Sequence, residues 1–158
     1  MTDHNRTSTT DRGKTARLAA TAVGATFLLV GILGFVPGIT TNYDTMELAG
    51  HESRAELLGI FQVSILHNVV HLLFGLAGLA MARKTSSAIT YLIGGGAIYL
   101  VLWVYGLATD QRSEANFVPL NNADDWLHLV LGIGMIGLGL AGRNAARDTA
   151  TTTVPGRR

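Results

Sequence analysis

Residues 88–108 read A-I-T-Y-L-I-G-G-G-A-I-Y-L-V-L-W-V-Y-G-L-A, and these 21 positions contain no Asp, Glu, Lys or Arg. Three other stretches, Leu18–Val36, Leu57–Ala82 and Trp126–Gly142, are equally free of charge. A bilayer core about 30 Å thick is crossed by about 20 apolar residues in a helix. Because every backbone polar group in lipid must be satisfied internally, each stretch should be helical. The sequence therefore predicts an all-α fold, an integral membrane four-helix bundle.

The composition agrees with this class of protein. Of 158 residues, 48% are apolar and 15% are charged, and there is no Cys. A soluble domain usually carries about 25% charged residues. This balance argues against a disordered chain, a nucleic-acid-binding protein and a disulfide-stapled secreted domain. Basic residues precede the first stretch, but its apolar run is longer than that of a signal peptide, so we predict a retained span.

The distribution of charge predicts the orientation of the bundle. Ten of the twelve Lys and Arg residues lie before the first span, after the fourth span and in the turn 83–87. The loops 37–56 and 110–124 contain only Arg54 and Arg112, and most of the acids lie in or beside them. The positive-inside rule therefore predicts a bacterial cytoplasmic membrane protein with both termini in the cytoplasm. We expect the tails, 1–15 and 143–158, to be disordered around a membrane domain over 16–142.

The second and fourth spans share a pattern at an offset of 57 residues. H-N-V-V-H-L-L-F-G runs from His67 to Gly75, and D-D-W-L-H-L-V-L-G runs from Asp124 to Gly132. The shared pattern predicts two repeated helical hairpins. Residues 52–58 are expected to form an amphipathic lead-in to the second helix.

Helical periodicity places the polar residues of each span on one stripe, with glycines further along it. The polar residues are His67, Asn68 and His71 in the second span and Asp124, Asp125 and His128 in the fourth; the glycines are Gly75, Gly78, Gly132 and Gly139. Small residues allow helices to approach closely in lipid. We therefore expect spans two and four to pack against each other through these glycines, flanked by spans one and three. His71 and His128 should then lie close together.

Three hypotheses account for the polar cluster, because ionisable residues at membrane depth indicate a functional site by default. The first is interhelical hydrogen bonding, since a neutral His both donates and accepts, and Asp125 would cap span four. This hypothesis expects no cofactor. The second is a haem or a divalent metal, for which the spacing of His67 and His71 on one helix face is suitable. The third is a proton relay, because His titrates near pH 6.5.

With these residues described, the chain resembles a bacterial membrane family catalogued as domain of unknown function 4383. The resemblance rests on V-S-I-L-H-N-V-V-H-L-L-F-G-L-A-G-L and N-N-A-D-D-W-L-H-L-V-L-G and covers about residues 16–142. The family pattern has Asn where this chain has Ser64, and Asp-Asn where it has Asp124-Asp125. The resemblance implies four spans and no particular activity.

The leading functional hypothesis is a non-enzymatic structural or accessory membrane protein. Its partners would be the lipid bilayer and a second copy of itself or a larger membrane complex, with no nucleic acid. The alternatives are a haem- or metal-binding membrane protein that uses the interior histidines, and a small proton-coupled transporter.

Overall fold

The computed structural model describes residues 4–152, with side chains over 13–143. Four helices run along the chain: α1 His4–Leu33, α2 Ile65–Met81, α3 Thr85–Ala108 and α4 Asn122–Thr152. Three two-residue strands lie between α1 and α2: β1 Thr40–Thr41, β2 Glu56–Leu57 and β3 Phe61–Gln62. The predicted all-α bundle is confirmed, with this small sheet as an addition.

Three helical segments are long and apolar enough to cross a membrane: Gly13–Leu33, Thr85–Ala108 and Asn122–Arg143. The fourth helix, α2, is apolar but has only 17 residues. Large apolar side chains such as Leu18, Val101 and Val130 are about two-thirds exposed on the outer faces of the bundle. An apolar exterior of this kind is typical of a protein surrounded by lipid. The chain is therefore a helical membrane protein.

The helices pack most extensively as two pairs, α1 with α2 and α3 with α4. These are the pairs that the sequence predicts as hairpins. In addition, α1 contacts both α3 and α4, whereas α2 and α4 scarcely contact each other. The centre of the bundle is therefore formed where α1 meets α3, with α2 and α4 on opposite sides.

A pair of glycines brings the two helices of each hairpin together. A Cβ on Gly75 would lie 2.7 Å from the carbonyl oxygen of Gly24 in α1. A Cβ on Gly96 in α3 would lie 2.8 Å from the carbonyl oxygen of Gly132. Real side chains do not tolerate such distances, so only glycine allows these backbones to approach so closely.

The predicted contact between spans two and four is wrong. Gly75 and Gly78 face Gly24 of α1, while Gly132 and Gly139 face α3. The four glycines thus lie at helix contacts, as predicted, but their partners are the neighbouring helices in the sequence. The stripe of small residues indicates where a helix can approach, and it does not indicate which helix does so. A direct contact of α2 with α4 is prevented because α1 and α3 occupy the centre.

The predicted second span, 57–82, is wrong over its first eight residues. Helix α2 begins at Ile65, after Ser64, whose side chain accepts a hydrogen bond from the backbone N–H of His67 at 3.1 Å. Ahead of it, β2 and β3 are joined by a turn in which Leu58 and Gly59 both have positive φ, 57° and 67°. Two consecutive left-handed residues define a tight hairpin turn and end any helix. An apolar run alone does not distinguish a strand from a helix.

Residues 40–62, here called the cap, form a folded unit at one end of the bundle. Strand β2 pairs antiparallel with both neighbours, with Leu57 opposite Thr40 and Phe61. Ala55, Leu57 and the adjoining Val63 are buried together against the end of α1. The expected amphipathic helix over 52–58 is therefore wrong, because these side chains alternate in burial as a strand does.

The structure also differs from the expected disorder of the tails. Helix α1 already begins at His4, and α4 continues to Thr152. The expectation rested on the lack of apolar burial, but extending a helix that is already formed requires no new nucleation. The remaining parts of both tails, residues 1–3 and 153–158, lie outside the described residues.

Substitution of Gly75 by Ala should destabilise the bundle by about 1–3 kcal/mol, because the new methyl group overlaps the backbone of α1. The matched control is Gly94→Ala, since no atom lies within 4 Å of the position of its Cβ. That control should be neutral or stabilising by up to about 1 kcal/mol, the difference between Gly and Ala in a helix. Unfolding in mixed detergent measures both, and equal stabilities of the two variants would contradict the glycine contact.

Candidate functional site

A cavity of about 360 Å³ lies where the helices meet the cap. Four of the six predicted polar residues line it: His67, His71, Asp124 and His128. His71 and His128, which are predicted to lie close together, thus face the same space. The walls are mainly apolar and come from α1, the cap and α4: Ala22, Val23, Phe27, Val30, Leu57, Leu58, Phe61, Val63, Leu127 and Leu131.

Rings from all four helices form one network beside the cavity. The ring centroid of His71 in α2 lies 5.5 Å from that of Phe27 in α1. Phe27 stacks on Tyr99 of α3 at 5.4 Å, and Tyr99 lies 5.0 Å from His128 of α4. His67 packs edge-on against His71 at 4.5 Å. Offset and edge-to-face arrangements of this kind are favourable beyond the area they bury.

The histidine rings are well packed, but their Nδ1 atoms lack hydrogen-bond partners among the described residues. The Nδ1 atoms of His67, His71 and His128 are buried and have no hydrogen-bond partner among the described residues. Only His67 has a polar contact elsewhere on its ring, with the backbone carbonyl of Pro119. The predicted interhelical hydrogen bonds are thus not formed at these nitrogens, and the imidazoles join the helices by ring packing. A buried polar atom without a partner costs about 1–3 kcal/mol.

Asp124 helps to satisfy the free backbone N–H groups at the N-terminus of α4. Its Oδ2 accepts a hydrogen bond from the backbone N–H of Asn121 at 3.0 Å. In return, Oδ1 of Asn121 accepts from the backbone N–H groups of Ala123 and Asp124, at 2.9 and 3.1 Å. This reciprocal arrangement is a capping box, which satisfies free N–H groups of the first turn. Oδ2 of Asp124 also accepts from the backbone N–H of Gln62 in β3 at 3.1 Å, which attaches the cap to α4.

Asp125 and Asn68 do not join the cavity. The expectation that Asp125 caps α4 is wrong, because Asp124 and Asn121 form the capping box at the N-terminus of this helix. Asp125 instead packs on Gly106 of α3, where an added Cβ would collide with its carboxylate. Asn68 packs on Gly34 at the end of α1, and its Nδ2 lies 3.8 Å from the sulfur of Met46. Neighbouring residues in a helix differ by about 100°, so each of these two turns away from the histidine face.

The grouping of the histidine and acidic side chains bears on metal binding. Over 13–143, no three His, Asp or Glu side chains are grouped so that they could hold a metal ion. Asp124 lines the cavity with the histidines, but its Oδ2 is engaged by two backbone N–H groups. A haem ligated by histidines stays a prediction.

The residues that organise the cluster are not among those predicted from the sequence. Phe27 and Tyr99 lie within apolar spans, and no polar pattern distinguishes them from the other aromatic residues there. Asn121 had a recognisable signal, since an Asn three residues before an acid at the start of an apolar run is the signature of a capping box. The contact of Gln62 with Asp124 joins positions 62 residues apart, so no local pattern reveals it.

Substitution of His128 tests whether ring packing or the ring nitrogens stabilise the bundle. His128→Phe keeps a ring beside Tyr99 and removes the unpartnered nitrogen, so it should raise stability by about 1 kcal/mol. His128→Ala removes the ring and leaves a void, which should cost about 2 kcal/mol. Both are measured by unfolding in detergent. A loss in the Phe variant as large as that in the Ala variant would contradict stabilisation by the ring.

Comparison with known proteins adds one positive result. The chain matches, over residues 17–141, the family described as "Domain of unknown function (DUF4383)". No curated protein and no solved structure matches it. The match covers α2, α3, most of α1 and α4, the cap and every residue that lines the cavity. The chain therefore belongs to the DUF4383 family.

Proposed function

We propose that the protein is a non-enzymatic accessory protein of the bacterial cytoplasmic membrane, a bundle that crosses the bilayer four times. One observation supports this proposal above the others. Rings contributed by all four helices are packed into a single network, to which the histidines belong. The polar interior is thus used to hold the helices together.

The remaining polar groups fit the same role. Asp124 completes the capping box of α4 and attaches residues 40–62, the cap, to this helix. Asn68 and Asp125 pack against glycines at helix contacts. Each of these contacts holds a helix or the cap in its position in the bundle. At the opposite end of the bundle, Nε of Arg17 donates to the backbone carbonyl of Ala82 at 3.0 Å, which satisfies a free carbonyl at the end of α2.

We further propose that the protein associates with itself or with a larger membrane complex through α4. Gly134 and Gly137 are exposed, and no atom lies within 4 Å of a Cβ placed on either. Ala141, one turn beyond Gly137, is exposed on the same face. Small residues spaced by three or four positions on a lipid-facing surface allow a second helix to approach closely.

In the proposed topology, four crossings leave both termini on one side of the membrane, which we assign to the cytoplasm, with the cap on the outside. Helix α2 has 17 residues and is about 26 Å long at 1.5 Å per residue, slightly less than the bilayer core. Its close packing on α1 supports a full crossing, because α1 fixes its position along the bilayer normal. The basic turn Arg83-Lys84 at its end supports the cytoplasmic assignment.

Single-cysteine labelling tests this orientation in a chain that has no Cys. Glu52→Cys and Glu114→Cys replace exposed residues of the two acidic loops and should react with a membrane-impermeant reagent in intact cells. Ser86→Cys, also exposed, should react only after the membrane is opened. Reaction of Ser86→Cys in intact cells would contradict the orientation.

A haem- or metal-binding protein is the second candidate, and the unpartnered Nδ1 atoms of the three histidines favour it. Optical and elemental analysis of the detergent-purified protein separates the two candidates. Under the accessory function we expect no Soret band and no metal in stoichiometric amount. A Soret band that is present in the wild type and absent in His71→Asn would establish the second candidate instead.

A further inference from the structure

We propose that the cavity binds the head of a prenylated quinone or quinol, an uncharged planar ring with polar oxygens and an apolar tail, taken from the surrounding bilayer. This goes beyond the structural role of the bundle, because it assigns a ligand to the space beside the ring network.

The polar part of the cavity suits a head that both donates and accepts hydrogen bonds. Three imidazoles line the cavity, and a neutral imidazole carries one donor and one acceptor. The ring of His67 already contacts the carbonyl of Pro119, so it offers its acceptor, whereas His71 and His128 offer both groups.

His67 and His128 are only 8% and 3% exposed, and their Nδ1 atoms have no partner among the described residues. Of the five buried side-chain atoms without a partner among the described residues, these imidazoles and that of His71 supply three, and Asn68 and Asp125 supply the other two away from the cavity. Buried polar atoms in native proteins are almost always paired, so the three at the cavity are available to a ligand there.

The rings of the lining favour a flat head. Phe27, Phe61 and Tyr99 line the same space as the three imidazoles, so aromatic rings and imidazole nitrogens border one cavity. Aromatic rings pair with other rings in offset or edge-to-face contacts. A planar ligand that carries oxygens at its edge could meet ring faces and imidazole nitrogens at once.

The charge of the lining excludes the common ionic lipid heads. Asp124 faces the cavity and is 2% exposed, and the residues described as lining it include no Lys or Arg. A phosphate or carboxylate head would therefore be buried beside an acid without a compensating cation, which is very unfavourable. An uncharged head avoids this cost.

The cavity is open to the bilayer between α1 and α4. Ala22 and Thr26 of α1 and Leu127 of α4 line it and are also exposed on the outer surface. At the far end of the bundle the two helices touch, since a Cβ on Gly142 would lie 2.8 Å from that of Ala16. The helices thus meet at one end and leave an opening near the cap. A volume of about 360 Å³ is at the small end of ligand sites, so a long tail would extend into the lipid.

Titration of the purified full-length protein in detergent with decylubiquinone, followed by calorimetry, tests the polar contacts. We expect saturable binding of one molecule per chain. His128→Phe, which retains the ring, should weaken binding at least about tenfold. The control is His51→Phe, because His51 lies in the cap and does not line the cavity. Unsaturable partitioning, or equal affinity of His128→Phe and the wild type, would overturn the proposal.

A second pair of variants tests the opening without altering the core. Ala22 and Ala25 are both exposed on α1, and only Ala22 lines the cavity. Ala22→Phe should therefore weaken quinone binding at least about tenfold, and Ala25→Phe should not change it. Oleate, which has an anionic head, should not displace the quinone. An equal effect of the two alanine variants, or displacement by oleate at comparable concentration, would overturn the proposal.

Discussion

The close approach of backbones at one glycine pair in each hairpin determines how the rest of the bundle is arranged. Lipid tails are as apolar as the side chains, so helices in a bilayer are held by contact between well-fitting surfaces. Gly24 with Gly75, and Gly96 with Gly132, permit this contact at the level of the backbone. Once the two hairpins are formed, α1 and α3 meet in the middle, and their rings occupy the centre. The histidines of α2 and α4 then contact this centre from opposite sides.

Much of the fold could be predicted because apolar length and the absence of charge respond directly to the thickness of a bilayer. The ends of α3 differ from the predicted span, 88–108, by only three residues. The same reasoning failed for residues 57–64, where Leu57, Phe61 and Val63 pack in the core of the cap. Burial against protein and burial in lipid require the same kinds of residue, so composition alone does not separate them. The left-handed turn at Leu58 and Gly59 is a property of the backbone, for which Gly59 was the only local sign.

The candidate site was predictable as a set of residues and not as a set of contacts. Helical periodicity assigns a residue to a face, and it assigned His67, His71 and His128 to the side on which the cavity lies. It does not determine which neighbouring helix supplies the partner. The contacts of the imidazoles with Phe27 and Tyr99 depend on the order of the helices around the bundle, which the glycine stripes left open.

The attachment of the cap to the last helix has a consequence for biogenesis. Gln62 donates to Asp124, the side chain of Asn121 donates to the backbone carbonyl of Ile60, and the N–H of Gly50 donates to the carbonyl of Phe117. The cap is encoded before α2, yet its partners emerge from the ribosome about 60 residues later. During synthesis, the cap therefore completes its hydrogen bonds only after the start of the final helix has been made. A nascent chain halted after α3 would display an unfinished sheet edge, which quality-control proteases of the membrane could recognise.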